Sequence, residues 1–163
     1  MLKFFKNYGE IIAHTFTFIG LFLVVYQLYQ GNENKRWENY NVMNLRYYEW
    51  YSKIPENAAI DTCKPFSKQS NETKKWVRAY FNLYSEEYWL FLNGLIPQEM
   101  WTKRIDNGVD VNLKTYPVLV RGYWYWRDIG TFNHPEGFKQ IVNSKLKKLE
   151  GNLRLLNCDS LAK

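Results

Sequence analysis

The sequence predicts an all-α protein, with one N-terminal transmembrane helix followed by a helical bundle. Three observations carry this. The run from Ile11 to Tyr29 contains no Asp, Glu, Lys or Arg. Downstream, apolar and aromatic residues recur at intervals of three and four, the period of a helix face. The segments between them carry helix punctuation, Ser or Asn before and Gly or Pro after, with no strand-rich region, repeat or low-complexity stretch.

The first element is the anchor. Nineteen residues from Ile11 to Tyr29 rise by about 28 Å as a helix, close to the roughly 30 Å of a bilayer's hydrocarbon. Lys3 and Lys6 precede the run, Lys35 and Arg36 follow it, and Tyr8, Tyr26 and Tyr29 sit near its ends as interfacial aromatics do. A signal peptide would have a shorter apolar run and a small-residue cleavage site, whereas this run ends in YQLYQGNENKRW. A buried soluble helix stays open as the alternative, because His14, Thr15, Thr17 and Gln27 dilute the apolarity. The overall mean hydropathy of -0.49 does not count against a span, since one span hardly moves the mean.

Glu10, Ala13, Thr17, Gly20, Val24 and Gln27 fall three or four apart on one helical stripe, with His14 beside it. Ile12, Phe16, Ile19, Leu23 and Tyr26 form the bulky opposite side. Small and polar groups are costly against lipid and face other helices or water, so the stripe predicts self-association and a pore-lining or helix-contact role. The plain alternative is a marginal anchor that tolerates its polar residues. Lys35, Arg36 and Arg46 after the span outnumber Lys3 and Lys6 before it by one charge, which favours a cytoplasmic C-terminal domain.

The bundle follows, giving an anchor over residues 1–31 and a helical domain over 32–163. Tyr40, Met43, Tyr47, Trp50 and Ile54 mark a helix from Asn34 to Lys53, stopped by Pro55 and able to continue the anchor through Gly31. ENAAIDTCKPFSKQ reads as a loop. Ser70 or Asn71 starts the next helix, whose buried side is Trp76, Val77, Tyr80, Phe81, Tyr84, Tyr88 and Phe91 and which Gly94 ends. Pro97 opens a short helix closed by an Asn107-Gly108 turn. Another runs from about Leu113 to Asp128 with Pro117 in its first turns. Asn133 and Glu136, at capping-box spacing, open the last, which runs to about Leu149.

Composition bounds the chemistry. Two cysteines, Cys63 and Cys158, and two histidines, His14 and His134, have no paired spacing, so neither a zinc site nor a disulfide framework is expected, and no cofactor. Thiols left free fit a reducing compartment. The net charge of +6 favours acidic partners, nucleic acid or anionic lipid, without separating them. An aromatic share of 18% suits half-wet surfaces, and a tyrosine-heavy core accounts for it equally. No phosphate-cradling loop, paired carboxylates or nucleophile elbow is present.

One local constellation remains, RDIGTFNH from Arg127 to His134. It resembles the HEPN ribonuclease signature, an Arg followed by a polar residue, here Asp128, and a His after a short interval. In such a site Arg127 would neutralise the charge of a phosphorane and His134 would move a proton at a ribose 2′-OH, without a metal. HEPN sites form where two copies meet, so one motif per chain implies dimerisation. Gly130 and Pro135 interrupt the helix that would hold the pair, and the structural alternative makes Arg127 a helix-end cation and His134 a turn residue.

The layout of span, basic aromatic helical domain and late Arg–His motif resembles the small membrane-pore accessory proteins of type VI-B CRISPR systems. That resemblance implies a HEPN-like bundle and a homo-oligomer in the lipid bilayer of the bacterial inner membrane. It implies permeabilisation or depolarisation during antiviral defence, with the RNA-guided effector, or RNA, as an indirect partner. The segments YQLYQGNENKRWENYNV and FNHPEGF also look like those of a broad group of bacterial membrane-anchored helical proteins of unknown function. The alternatives are a membrane-tethered HEPN ribonuclease and a tethered helical interaction module.

Overall fold

The computed structural model describes residues 2–59 and 64–150, with side chains for 8, 9, 11–59 and 64–149. Cys63, Cys158 and the Glu10 side chain lie outside the described residues and side chains. All regular secondary structure among the described residues is helical. Helix α1, Leu2–Tyr51, is one unbroken helix of 50 residues, about 75 Å long at the α-helical rise. It continues through Gly31 without a break, so the apolar segment and the first bundle helix are a single element. What changes there is burial. Every described side chain from 8 to 32 is exposed, and from Glu33 onward the helix turns one face inward, with Arg36, Asn39, Tyr40, Met43, Tyr47 and Trp50 at helical spacing. It is the one described helix long and apolar enough to cross a membrane, and none of its most apolar window is buried in the fold.

Helix α2, Asn71–Leu92, starts where Ser70 accepts the Thr73 N–H at 3.1 Å and ends before Gly94, whose φ of 65° only glycine adopts freely. It lies antiparallel to α1. Near its start Trp76 meets Trp50 of α1. Near its end Arg36 and Asn39 donate to the carbonyls of Gly94 and Leu95, at 2.7 and 3.0 Å. A short 3-10 turn, Phe66–Lys68, precedes α2 and buries Phe66 against α5.

Beyond Pro97 the chain runs as α3, Gln98–Met100, a π turn, Trp101–Ile105, and α4, Asp106–Thr115, without interruption. The Asn107-Gly108 turn expected from sequence does not form. That pair signals a turn when flanked by strands, whereas here burial of Val109 and Leu113 on the core face outweighs roughly 1 kcal/mol of glycine penalty. The expected helix over 113–128 is divided. Tyr116, directly before Pro117, is held out of the α region at φ −121°, ψ 84°, so α4 ends and α5, Pro117–Asp128, begins with proline in its first turn. Helix α6, Glu136–Glu150, takes Pro135 O as its first acceptor, from Lys139 N–H. Asn133 therefore stands outside the helix, and the expected capping box is not made.

The core joins α2, α4, α5 and α6 around Phe81, Tyr84, Leu113, Leu119, Tyr123 and Phe138. Helix α5 approaches closely at Gly122, where a Cβ would lie 2.6 Å from Val77 Cγ1. Helix α6 is pinned to α4 by Lys145, buried with its ammonium 2.9 Å from Asp106 and 3.0 Å from Asp110.

Candidate functional site

The Arg–His motif straddles a helix end. Arg127 and Asp128 close α5, Gly130 turns the chain at φ 70°, and His134 stands in the segment before α6. The Arg127 guanidinium is occupied locally. It donates to Asp128 Oδ1 at 2.9 and 3.2 Å and lies 3.9 Å over the Trp124 ring. This is a solvent-facing arrangement stabilised by cation–π contact.

His134 faces elsewhere. Its half-buried ring packs on Phe132 and Phe138, with centroids 4.3 and 5.1 Å away. Burial, then the charges of Lys139 and Arg78, hold its pKa below the ordinary 6.5. The imidazole is therefore neutral at pH 7. It lines a cleft of about 90 Å³ with Arg78, Asn82 and Trp126. Among the described residues no hydrogen bond or ion pair joins Arg127 to His134. The cations that act on the imidazole, Lys139 of α6 and Arg78 of α2, both come from outside the motif.

Along the apolar part of α1, Ala13, His14, Thr17, Gly20 and Gln27 are all exposed in the single chain. Thr17 and Thr15 donate to the carbonyls of Ala13 and Ile11, at 2.9 and 2.8 Å, so both hydroxyls are satisfied within their own helix. Gly20 has no heavy atom within 4 Å of a Cβ position, leaving a smooth face for a neighbour.

A second constellation was not foreseen. Between α1, α2 and α4 lies a cavity of about 240 Å³ lined by Tyr40, Tyr47, Tyr48, Tyr80 and Tyr84, with Asn112 and Glu87. Tyr47 donates to Asn112 Oδ1 at 3.3 Å and Tyr84 to Asp106 Oδ1 at 3.1 Å. The Tyr80 hydroxyl is buried; none of the described residues partners it in good hydrogen-bond geometry, and Asn112 is the polar side chain that acts on it. Glu87 is 7% exposed and makes no hydrogen bond or ion pair with the described residues. Burial pushes its pKa from 4.5 up to about 8, with Glu86 adding to the rise and Arg46 opposing it. A carboxyl on the stripe continuing from Tyr80 and Leu83 was the available signal. Among the described residues, no group of three or more His, Cys, Asp or Glu is placed to hold a metal.

No protein-family model matches the chain, and neither a curated protein nor a solved structure matches it.

Proposed function

We propose that the chain is a bilayer-anchored helical protein that acts without catalysis, by self-association of its N-terminal span into a membrane pore. One observation carries the reading. A fully exposed apolar helix segment is continuous with a bundle domain and displays small and polar residues along one side. Exposed apolar area of that extent is unstable in water and at home in lipid. Satisfied threonines lower the cost of the stripe, whereas His14 and Gln27 retain polar groups that favour a protein neighbour or water over lipid.

The bundle's placement is consistent with a tethered domain. Arg36 and Asn39 hold the turn after α2 beside the part of α1 nearest the span, and exposed Trp37, Trp89 and Leu92 lie toward that end. Such residues suit a membrane interface. The domain is assigned to the cytoplasm of the bacterial inner membrane by charge bias, and the antiviral, type VI-B role by resemblance alone. The geometry within one chain gives the ribonuclease alternative no support, because Arg127 is engaged with Asp128 and Trp124 while His134 faces Phe132. A tethered interaction module draws support from one feature, an apolar cleft of about 430 Å³ including Trp89, Leu92 and Pro135.

The test combines assembly and flux. The full chain should need detergent, form a closed oligomer above a dimer by mass, and pass ions across liposomes. Thr17→Leu should reduce flux while leaving insertion and assembly intact, and Ile19→Leu should change little. A monomer in detergent, or a chain soluble without it, would sink the pore. Flux lost only in Ile19→Leu would reverse the faces.

A further inference from the structure

The cavity between α1, α2 and α4 holds a contradiction. Buried carboxyls are ordinarily paired, hydrogen-bonded or bound to a cation, because an isolated charge out of water is costly. The fold supplies such pairing elsewhere. Lys145, equally buried, has both Asp106 and Asp110. Arg46, the cation on α1 closest to the problem, pairs at 2.7 Å with Glu86 rather than with Glu87. Glu87 is left without a paired cation, in a cavity that also holds the buried Tyr80 hydroxyl.

We propose that this cavity binds a small organic ammonium ion, with Glu87 as its counter-charge and the surrounding tyrosine rings as its walls. Two features select a cation. Five tyrosines line the space, and aromatic faces attract cations, most of all where water is excluded. The charges facing Glu87 leave it unneutralised: on α1 Arg46 is committed to Glu86, on α4 Asp106 and Asp110 are held by Lys145 of α6, and Arg104 of the π turn is exposed at the rim. An anion would be repelled wherever Glu87 ionises, and a neutral guest would leave the carboxyl protonated, with no proton to release. The volume of about 240 Å³ corresponds to roughly eight water molecules, room for a trimethylammonium head and a short tail.

The source is a free ammonium ion rather than a lipid headgroup. Tyr40 is eleven residues beyond Tyr29, about 16 Å along the helix, whereas the headgroup layer adds only roughly 5–8 Å per leaflet. Since Glu87 is mostly protonated at pH 7 when the cavity lacks a cation, binding expels its proton to bulk buffer. Cation uptake and proton release are thus one exchange.

The probe is choline, against its uncharged isostere 3,3-dimethylbutan-1-ol, by calorimetry on the full chain in detergent at pH 7. Choline should bind at least about tenfold more tightly than the alcohol. Titrations in phosphate and in Tris should differ by the ionisation heat of close to one proton per choline. Glu87→Gln, which keeps shape and fold, should abolish both the preference and the proton release. Absence of choline binding at millimolar concentration, equal affinity for the alcohol, or binding without proton release would each overturn the proposal. Short-chain phosphatidylcholine should compete no better than free choline, and a clear advantage for the lipid would overturn the assignment to a free ammonium ion.

Discussion

The indoles of Trp50 and Trp76 stack at 4.6 Å, and each donates its N–H to the other's backbone carbonyl, at 3.0 and 3.1 Å. Two helices are thereby stapled by a pair of reciprocal bonds. The staple closes the far end of the α1–α2 pair, and Arg36 and Asn39 close the end nearest the span. Both rings are buried, so their N–H groups would otherwise be costly orphans.

Replacing either indole by Phe removes one bond and part of the stack. Trp50→Phe and Trp76→Phe should each cost about 2–3 kcal/mol, read as a lower thermal midpoint by circular dichroism in detergent. The double variant should lose less than the sum, with a coupling near 1 kcal/mol. Strict additivity would show that the two rings stabilise the fold independently.

Gly122 should tolerate no side chain. Its added methyl would meet Val77 at 2.6 Å and the Phe66 ring at 2.9 Å, so Gly122→Ala should destabilise by about 1–3 kcal/mol. Gly108→Ala, in open space within α4, should instead stabilise by up to about 1 kcal/mol. Equal effects at the two sites would refute the close approach of α5 to α2.

Glu87 sets a pH slope. The unfolded chain releases this proton near 4.5 and the folded one near 8, because burial disfavours the charge. Its contribution to stability is complete below pH 4.5, declines as pH rises toward 8, and is flat above. Glu87→Gln should remove the decline and leave the variant more stable than the parent at pH 8–9, by up to about 5 kcal/mol. Denaturation midpoints across pH 5–9 measure it, and parallel curves for the two proteins would contradict the assignment.

His134 should titrate below 6.5, since burial and the charges of Lys139 and Arg78 disfavour the imidazolium. Its contribution to stability is present above pH 6.5 and lost as pH falls through the lower folded value. Ring-proton NMR reads this directly. The Arg127→Ala, His134→Ala double variant should leave any background RNA decay unchanged. Metal-independent cleavage that disappears with His134→Ala would restore the nuclease reading.

Local signals in the sequence reached the helices but not their partners. Ser70, Gly94 and Pro97 mark true boundaries because capping and the left-handed turn are decided within a few residues. The core positions of α2 were legible from Trp76 to Tyr84 for the same reason. Glu87 and Lys145 were not, because whether a charged residue on an apolar stripe is buried depends on elements tens of residues away. At the candidate motif, Arg127 and His134 were readable as a spacing. Whether they share a cleft depends on Gly130 and the 131–135 segment, which send the two side chains to different neighbours.

Because α1 has no joint at Gly31, it fixes an azimuth as well as a tether. Each residue of helix carries a rotation of about 100° with its 1.5 Å of rise, so the side of the span that meets a neighbour dictates which side of the bundle follows. Spans arranged around an axis would present every bundle in the same rotational phase, and a twist imposed in one layer would be delivered as a twist in the other. One residue inserted after Gly31 would turn the bundle through more than a quarter circle while leaving the composition of both parts intact. Seven would bring it back to within about 20°. On the proposed reading of the apolar segment, the continuous helix makes angular register, rather than length, the quantity by which membrane and domain would be coupled.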